Sequence, residues 1–299
     1  MADLPARVRI RDVGPRDGLQ PEEPVAISER IALVHALADA GVAVIEAAAF
    51  VSPKAVPAMA GAAEVMAGIE RRPGVTYAAL VPNLKGAEMA LAAGVDELTV
   101  TISASPTYNR RNVRMEVDES VAVIGSIVEA ADATPVDAVV SCAFGSPYET
   151  DVDPASAVAL GRRLADVGAT RLTYADTTGM ATPRRVADLH TALDGVVDDV
   201  GLHLHDTRGT ALVNAYAGLE LGFARFDTAV GGLGGSPFAH GAGGNLATEE
   251  LVALLDDLGV ETGIDVEGLV AAALQVEGLV GRPVPSGVAH AGPRTRPAS

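Results

Sequence analysis

The 299-residue sequence contains a single cysteine, Cys142, so it can form no disulfide within the chain and no cysteine-rich metal site. Because Cys142 lies in an apolar run, we expect it to be a small buried hydrophobic residue. No apolar run reaches the roughly 18 residues of a membrane-spanning helix, and the first ten residues lack the apolar stretch of a signal peptide. We therefore expect a cytoplasmic protein without a membrane partner.

Positive charge is also scarce. The chain has 22 lysines and arginines against 39 aspartates and glutamates, which gives a formal net charge of −17 at pH 7. Nucleic-acid binding needs a basic face that neutralises phosphates, so we expect no nucleic-acid partner. Hydrophobic residues make up 48% of the sequence, which is typical of a folded globular protein and excludes a disordered one.

Strand-like apolar runs alternate with segments in which Ala, Leu and Val recur at three- and four-residue spacing. The predicted strands are 8–14, 42–48, 76–82, 97–103, 136–144, 171–176, 200–206 and 226–232. The predicted helices are 28–40, 57–70, 84–93, 118–133, 154–167, 183–194, 209–221, 247–258 and one additional helix at 264–280. Eight strand–helix units in about 250 residues predict an α/β protein, a (β/α)8 TIM barrel with an extra C-terminal helix.

A doubly wound open sheet is the alternative fold. It would usually carry a G-x-G-x-x-G nucleotide turn after the first strand, whereas this sequence reads GPRDG at 14–18. Ser28 is predicted to cap the first helix and Pro183 to open the helix that begins there. No linker divides the chain, so we expect one barrel domain over residues 1–282 and a flexible tail at 283–299.

The sequence His203-Leu204-His205 lies at the end of a predicted strand. Side chains two residues apart on a strand point to the same face, so both imidazoles can bind one divalent ion. A His-x-His pair alone is weak evidence, because such pairs also occur on structural strands. Far upstream, however, the motif GPRDGLQ at 14–20 also follows a predicted strand, and it offers the carboxylate of Asp17 beside the fixed charge of Arg16.

The polar residues of interest share one position in the predicted barrel. Active sites of TIM barrels lie at the carboxyl ends of the strands. Strands one, two, seven and eight are neighbours around a closed barrel, so residues at their carboxyl ends can converge. Those residues are Arg16, Asp17, Glu46, His203, His205 and the glycine-rich loop 231–245, and Asp176 ends strand six at the same face.

These motifs resemble the 3-hydroxy-3-methylglutaryl-CoA lyase family, within the wider group of metal-dependent lyases and Claisen-type synthases that share an Asp-Arg-Glu barrel site. GPRDGLQ is more typical of the lyases than of the synthases. The resemblance extends in order from residue 8 to about 258. The matching stretches are GPRDGLQ at 14–20, VIE at 44–46, FVSPK at 50–54, PNLKG at 82–86, VSCA at 140–143, HLHDT at 203–207, GLGG at 232–235 and GGNLATE at 243–249.

The resemblance implies a metal centre and an activity. Asp17, His203, His205 and Asn245 match the metal ligands, and this donor set suits Mg²⁺ or Mn²⁺, with Zn²⁺ as a competitor. The implied substrate is a 3-hydroxyacyl-CoA with a second carboxylate. Its C2–C3 bond would break to give acetyl-CoA and a ketone or keto acid. The resemblance also implies a homodimer or a larger homo-oligomer.

The same resemblance also implies roles for three residues at the carboxyl ends of the first two predicted strands. Arg16 matches the residue that holds the thioester oxygen as enolate charge develops. Glu46 matches the acid that orients the site, and Gln20 belongs to the substrate-binding motif. Without the resemblance, Arg16 and Asp17 could equally form a surface ion pair, and Glu46 could be a buried partner of Arg16.

The sequence departs from the family at the proton donor. Ser236 stands where the family has a cysteine, and a serine is a far poorer acid than a thiol of pKa about 8.5. His240 in the same loop is a second candidate acid, and a water positioned by Ser236 is a third. We favour Ser236 or its water, because Ser236 occupies the family position. Ala49 and Glu23 also replace a usual serine and a frequent lysine.

Three functions therefore stay open. The first is a lyase acting on 3-hydroxy-3-methylglutaryl-CoA. The second is a lyase, aldolase or Claisen-type condensing enzyme for a different branched 3-hydroxyacyl-CoA, which the departures at positions 23, 49 and 236 favour. The third is a metal-binding barrel without catalytic activity, which is disfavoured because an idle site has no physical need for four retained ligands.

Overall fold

The computed structural model describes residues 4–235 and 243–296. Eight parallel strands form a closed barrel in sequence order, and the last strand pairs with the first. This confirms the predicted TIM barrel and excludes the open sheet. The strands are β1 Arg9–Asp12, β2 Val44–Ala49, β3 Thr76–Leu80, β4 Glu97–Ser103, β5 Val136–Ser141, β6 Arg171–Ala175, β7 Val200–His203 and β8 Arg225–Thr228.

Helices surround the barrel and cover the apolar outer faces of the strands. They are α1 Ile27–Asp39, α2 Ala62–Gly68, α3 Leu84–Ala92, α4 Pro106–Val113, α5 Val117–Ala131, α6 Pro154–Asp166, α7 Pro183–Ala192, α8 Ala211–Glu220, α9 Thr248–Leu258, α10 Val266–Val280 and α11 Gly287–Ala291. In the described parts of the chain, no helix combines the length and the apolarity that a membrane crossing demands.

Several predicted boundaries were wrong for local reasons. Ser28 lies inside α1, whose N-cap is Ala26 and which has no side-chain cap. The predicted helix at 57–70 is a 3-10 turn, Pro57–Met59, followed by α2, because the backbone turns at Gly61 with a φ of 77°. Pro183 does open α7 as predicted.

The polar helix α4 was not predicted. The Ser105 side chain caps it by accepting a hydrogen bond from Tyr108 N at 3.0 Å, and Pro106 is its first residue. Its sequence, PTYNRRNV, carries no apolar stripe, so hydrophobic periodicity gives no signal for it. α4 nevertheless helps to form the cavity described below.

A network of buried charges fills the amino end of the barrel. Arg11 donates to Asp137 Oδ2 at 3.0 Å and, through two nitrogens, to both carboxylate oxygens of Asp227 at 2.9 and 2.6 Å. Arg225 also donates to Asp137, at 2.6 Å. Buried charges are tolerated only when each has such partners, so these four residues depend on one another.

Asp12 at the end of β1 ties two loops of the carboxyl face together. Its fully buried carboxylate accepts hydrogen bonds from Gly14 N at 2.7 Å, Val230 N at 3.0 Å and the Thr248 hydroxyl at 2.6 Å. Burial raises the pKa of Asp12 to about 6. One side chain thereby fixes the turn Gly14–Gly18 relative to the segment that follows β8.

The segment beyond residue 282 contains α11. Val284 and Ala289 in this segment are buried, and Gly287 N donates to Glu250 Oε1 of α9 at 2.6 Å. Gly287 thus contacts α9, and Arg296 contacts Glu267 of α10. The assignment of residues 1–282 to the domain and the flexibility of 283–299 stay predictions.

Candidate metal centre and active site

The two histidines predicted to share a face meet at the carboxyl end of β7. His203 ends the strand and His205 lies two residues further, and both are buried. Their Nε2 atoms are 3.1 Å apart. A backbone bridge links His205 to Asn245, which brings the chain after β8 beside the pair.

The other nitrogen of each ring faces a hydrogen-bond acceptor. His203 Nδ1 is 3.2 Å from Asp227 Oδ2, and His205 Nδ1 is 3.3 Å from the Gly243 carbonyl oxygen. Both of these oxygens can accept a hydrogen bond, so the arrangement favours a hydrogen on each Nδ1 and a lone pair on each Nε2. Burial lowers the pKa of His205 to about 4, which keeps that ring neutral at pH 7. Two Nε2 lone pairs that converge in this way form a site suited to a cation.

Asp17 and Asn245 complete the group. One donor atom from each of Asp17, His203 and His205 lies within 4.8 Å of the others. Asn245 Nδ2 donates to Asp17 Oδ2 at 2.8 Å and to the Leu233 carbonyl at 2.9 Å. Asn245 Oδ1 is buried with no hydrogen-bond partner among the described residues. Such an orphan acceptor costs about 1–3 kcal/mol unless a ligand uses it.

These four side chains fit a divalent ion. Two nitrogen ligands roughly 2.1 Å from an ion and at right angles to each other would be about 3.0 Å apart, close to the 3.1 Å between the histidine nitrogens. Glycine is required beside them, since a Cβ at Gly234 would lie 2.4 Å from Asn245 Nδ2. The structure thus brings the side chains of the four predicted ligands together.

Arg16 is held beside the metal group by two carboxylates. Its Nε donates to Glu46 Oε2 at 2.5 Å and its Nη1 to Asp17 Oδ1 at 2.6 Å. Burial opposes the charge of Arg16, but the carboxylates of Glu46 and Asp17 outweigh it and raise the pKa of the guanidinium. Glu46 is fully buried within β2 and is not among the residues that line the cavity, and its Oε2 contacts the site through the hydrogen bond from Arg16.

A cavity of about 440 Å³ begins at this group of residues. One end is polar and is formed by Arg16, Asp17, the half-buried Gln20, the two histidines and Asp227. The cavity then extends to an apolar end formed by the loop after β2, the ends of β3 and β4, and helices α4 and α5. Apolar lining residues include Val51, Val56, Leu80, Val81, Val100, Val113, Met115, Val123, Ile124, Ile127 and Val139, and polar groups of Tyr108, Asn112 and Ser120 line the same region.

Four further residues bear on the site: two were predicted to be catalytic, and two were given no role from the sequence. Ser236 and His240 lie outside the described residues. Asp227 was not predicted, although its inward position on β8 opposite His203 was a possible signal. Asp176, which was predicted to end strand six and was given no role, is buried. Its Oδ1 accepts from Met180 N at 2.6 Å, its Oδ2 has no described partner, and burial raises its pKa to about 6.

Comparison with known proteins agrees with this geometry. The HMGL-like family model matches residues 7–276. The chain is 44% identical over 285 residues to a 3-hydroxy-3-isohexenylglutaryl-CoA/hydroxy-methylglutaryl-CoA lyase of Pseudomonas aeruginosa, covering 94% of this chain and 95% of that protein. It is 40% identical over 299 residues to human mitochondrial hydroxymethylglutaryl-CoA lyase, covering 97% and 91% of the two chains.

Solved structures give the same result. The structure of an HMG-CoA lyase from Acinetobacter baumannii in complex with coenzyme A and 3-methylmalate matches with a TM-score of 0.94 and 39% identity, covering 100% of this chain and 99% of that one. The Pseudomonas aeruginosa hydroxymethylglutaryl-CoA lyase matches with a TM-score of 0.91 and 43% identity, covering 96% and 97%. The matched family is metal-dependent, in keeping with the candidate metal group of Asp17, His203 and His205. On these grounds the chain belongs to the HMGL-like family.

Proposed function

We propose that this protein is a divalent-metal-dependent carbon–carbon lyase. It cleaves 3-hydroxy-3-methylglutaryl-CoA, or a closely related thioester, to acetyl-CoA and a keto acid. The observation that carries the proposal is the convergence of three metal-type donor residues, Asp17, His203 and His205, with the Arg16 guanidinium at one end of the cavity, beside the side chain of Asn245. Relatives named hydroxymethylglutaryl-CoA lyase, at 40–44% identity over nearly the whole chain, support it.

The ion would be held by Asp17, His203, His205 and Asn245. Two oxygen and two imidazole donors favour Mg²⁺ or Mn²⁺, with Zn²⁺ as a competitor. When bound, the ion supplies Lewis acidity that lowers the pKa of the substrate hydroxyl. The protein's own contribution is to hold the two rings in one tautomer and to keep the Asp17 carboxylate between Arg16 and Asn245.

Arg16 supplies the charge at the thioester. A base accepts the proton of the C3 hydroxyl, and the oxygen forms a carbonyl with C3 as the C2–C3 bond breaks. The electrons of that bond move onto the acetyl-CoA fragment as an enolate with negative charge on the thioester oxygen. A guanidinium fixed by Glu46 and Asp17 can donate to that oxygen without reorganising. The Nη2 atom of Arg16 has no hydrogen bond to other described residues, so it is free to serve this oxygen.

Positive charge near the cavity supports a coenzyme A thioester as substrate. Lys54 and Lys85, the only lysines in the sequence, are exposed on segments whose neighbouring residues line the cavity. Arg110 and Arg111 are exposed on α4 beside the lining residue Asn112. Arg110 is paired with Glu116 at 3.2 Å, so Lys54, Lys85 and Arg111 are the residues that offer positive charge to the phosphates of coenzyme A. The homo-oligomeric state and the cytoplasmic location stay predictions.

The enolate must be protonated at C2, and Ser236 stands at the position of the family's cysteine. Ser236→Cys is expected to raise kcat several-fold, because a thiol with a pKa of about 8.5 is a better acid than a hydroxyl. His240→Ala is expected to change kcat little. Steady-state rates with 3-hydroxy-3-methylglutaryl-CoA test both. A 10²–10⁴-fold loss in His240→Ala would instead identify His240 as the acid.

The apolar end of the cavity favours a second candidate function. The apolar side chains that line the cavity could bury a longer branched alkyl group at C3, which would gain about 25 cal/mol per Å² of apolar area buried relative to a methyl group. The Pseudomonas aeruginosa relative is named for an isohexenyl substrate as well as for the methyl one. The candidate is a lyase for a 3-hydroxyglutaryl-CoA that bears such a group.

Acetyl-CoA release from both thioesters would test the function. We expect release in the presence of Mg²⁺ or Mn²⁺ and none in the presence of EDTA. The ratio of kcat/KM for the isohexenyl and methyl substrates decides between the two candidates. Net condensation of acetyl-CoA with a keto acid would favour a synthase. No turnover in either direction would favour the catalytically silent barrel and contradict the proposal.

A further inference from the structure

We propose that Asp227 is a positioning residue for the metal site, and that Arg11 holds it in place from the opposite side. Asp227 sets the tautomer and the ring orientation of His203, so that Nε2 faces the ion. The inference rests on the proposed metal site. It extends that site into the buried charge network at the other end of the barrel.

The strand register brings Asp227 to His203. β7 and β8 pair in parallel with His203 opposite Asp227, and both residues are buried. His203 Nδ1 is 3.2 Å from Asp227 Oδ2. The contact therefore joins two adjacent strands of the barrel and does not depend on a loop.

Arg11 fixes the carboxylate from the next strand. β1 pairs with β8 so that Arg11 lies opposite Asp227. Its Nε and Nη2 donate to Oδ1 and Oδ2 of Asp227 at 2.9 and 2.6 Å, a bidentate arrangement that fixes the plane of the carboxylate as well as its position. The side-chain contacts from His203 through Asp227 to Arg11 thus link the three neighbouring strands β7, β8 and β1.

The chemistry of the carboxylate decides the tautomer. An ionised carboxylate only accepts hydrogen bonds, so the hydrogen of His203 belongs on Nδ1 and the lone pair on Nε2. Histidines that bind metals usually donate their other N–H to a carboxylate or a carbonyl, and loss of that partner weakens metal affinity. His205 uses the Gly243 carbonyl at 3.3 Å, so only His203 is held by the barrel strands themselves.

Asp227→Asn tests the inference with little change in size. The amide oxygen can replace only one of the two carboxylate oxygens, and in either orientation the NH₂ group meets a donor nitrogen of Arg11. The bidentate clamp is therefore lost, and a neutral amide is a weaker acceptor for His203 Nδ1 than a carboxylate. The Kd for Mn²⁺ is expected to rise about 10–100-fold. It is measured on metal-free protein by titration calorimetry and by the electron paramagnetic resonance signal of free Mn²⁺. Unchanged Mn²⁺ affinity in a folded variant would overturn the inference.

Asp137→Asn is the matched control. Asp137 is fully buried and accepts hydrogen bonds from Arg11 at 3.0 Å and from Arg225 at 2.6 Å. It belongs to the same charge network, but none of its hydrogen bonds involves His203. Its Mn²⁺ affinity is expected to stay at the wild-type value. An equal loss in both variants would mean that Asp227 acts only through the stability of the network, which contradicts the inference.

A second measurement does not depend on the folding of either variant. In metal-free wild-type protein labelled with ¹⁵N-histidine, His203 is expected to carry its hydrogen on Nδ1, with its resonance assigned by its loss in His203→Gln. A hydrogen on Nε2 would refute the inference. Neither this spectrum nor the Mn²⁺ titration needs lyase turnover, so failure of the proposed function would be seen separately, in the acetyl-CoA assay.

Discussion

Replacing Arg16 with glutamine is expected to lower kcat of the lyase reaction about 10²–10³-fold, the usual effect of removing one donor to a developing oxyanion. Glutamine can still donate one hydrogen bond but brings no charge to the enolate oxygen. KM is expected to change less than kcat, because the interaction strengthens as the charge develops. Steady-state kinetics under saturating metal measure both constants.

Stability has to be separated from catalysis in this variant. Arg16 is the hydrogen-bond partner of Glu46 Oε2, and Glu46 Oε1 already has no described partner. Arg16→Gln alone therefore leaves a buried charge uncompensated and is expected to lose about 3–5 kcal/mol of unfolding free energy. The double variant Arg16→Gln/Glu46→Gln should regain part of that stability without regaining activity. Wild-type kcat in the double variant would exclude Arg16 from catalysis.

Replacing His205 with alanine is expected to weaken Mn²⁺ binding by more than about 100-fold, since even an outer-shell partner is worth 10–100-fold. Activity at limiting metal is expected to fall in parallel. The reason is that His203 Nε2, 3.1 Å away, loses the second lone pair that makes the position attractive to a cation. Titration calorimetry and metal-dependent kcat/KM measure the two effects.

His190→Ala controls for the loss of an imidazole. His190 lies on α7, with its ring against Phe223 and away from the residues that line the cavity. Its replacement should leave Mn²⁺ affinity and activity unchanged. Undiminished Mn²⁺ binding by the His205 variant would show that the proposed ligand set is wrong.

The barrel could be predicted because each strand–helix unit repeats the same local signal. Apolar runs alternate with helical periodicity, and glycines such as Gly41, Gly94 and Gly168 follow the helices with positive φ. Helix α4 could not be predicted, because its residues carry no apolar stripe. Its helical conformation depends on the Ser105 cap and on packing.

The candidate ligands could be predicted to converge because strand periodicity and barrel adjacency are both readable from sequence. The hydrogen-bond partners of these ligands could not be predicted. That Asp227 faces His203 depends on the register of β7 against β8, and register is a property of the assembled sheet. The apolar end of the cavity likewise arises where α4 and α5 meet the strand ends, which no local pattern encodes.

Closure of the barrel by β8 against β1 has a consequence for folding. Asp17 comes from the first strand–helix unit, and the other candidate ligands come from the last two. The hydrogen bond between Asn245 and Asp17 joins residues 228 positions apart. Contacts of such long sequence separation carry a large loop-closure cost and slow folding. Affinity for the ion should therefore appear only when the first and last strands have paired, which makes Mn²⁺ uptake a kinetic reporter of the final closing step.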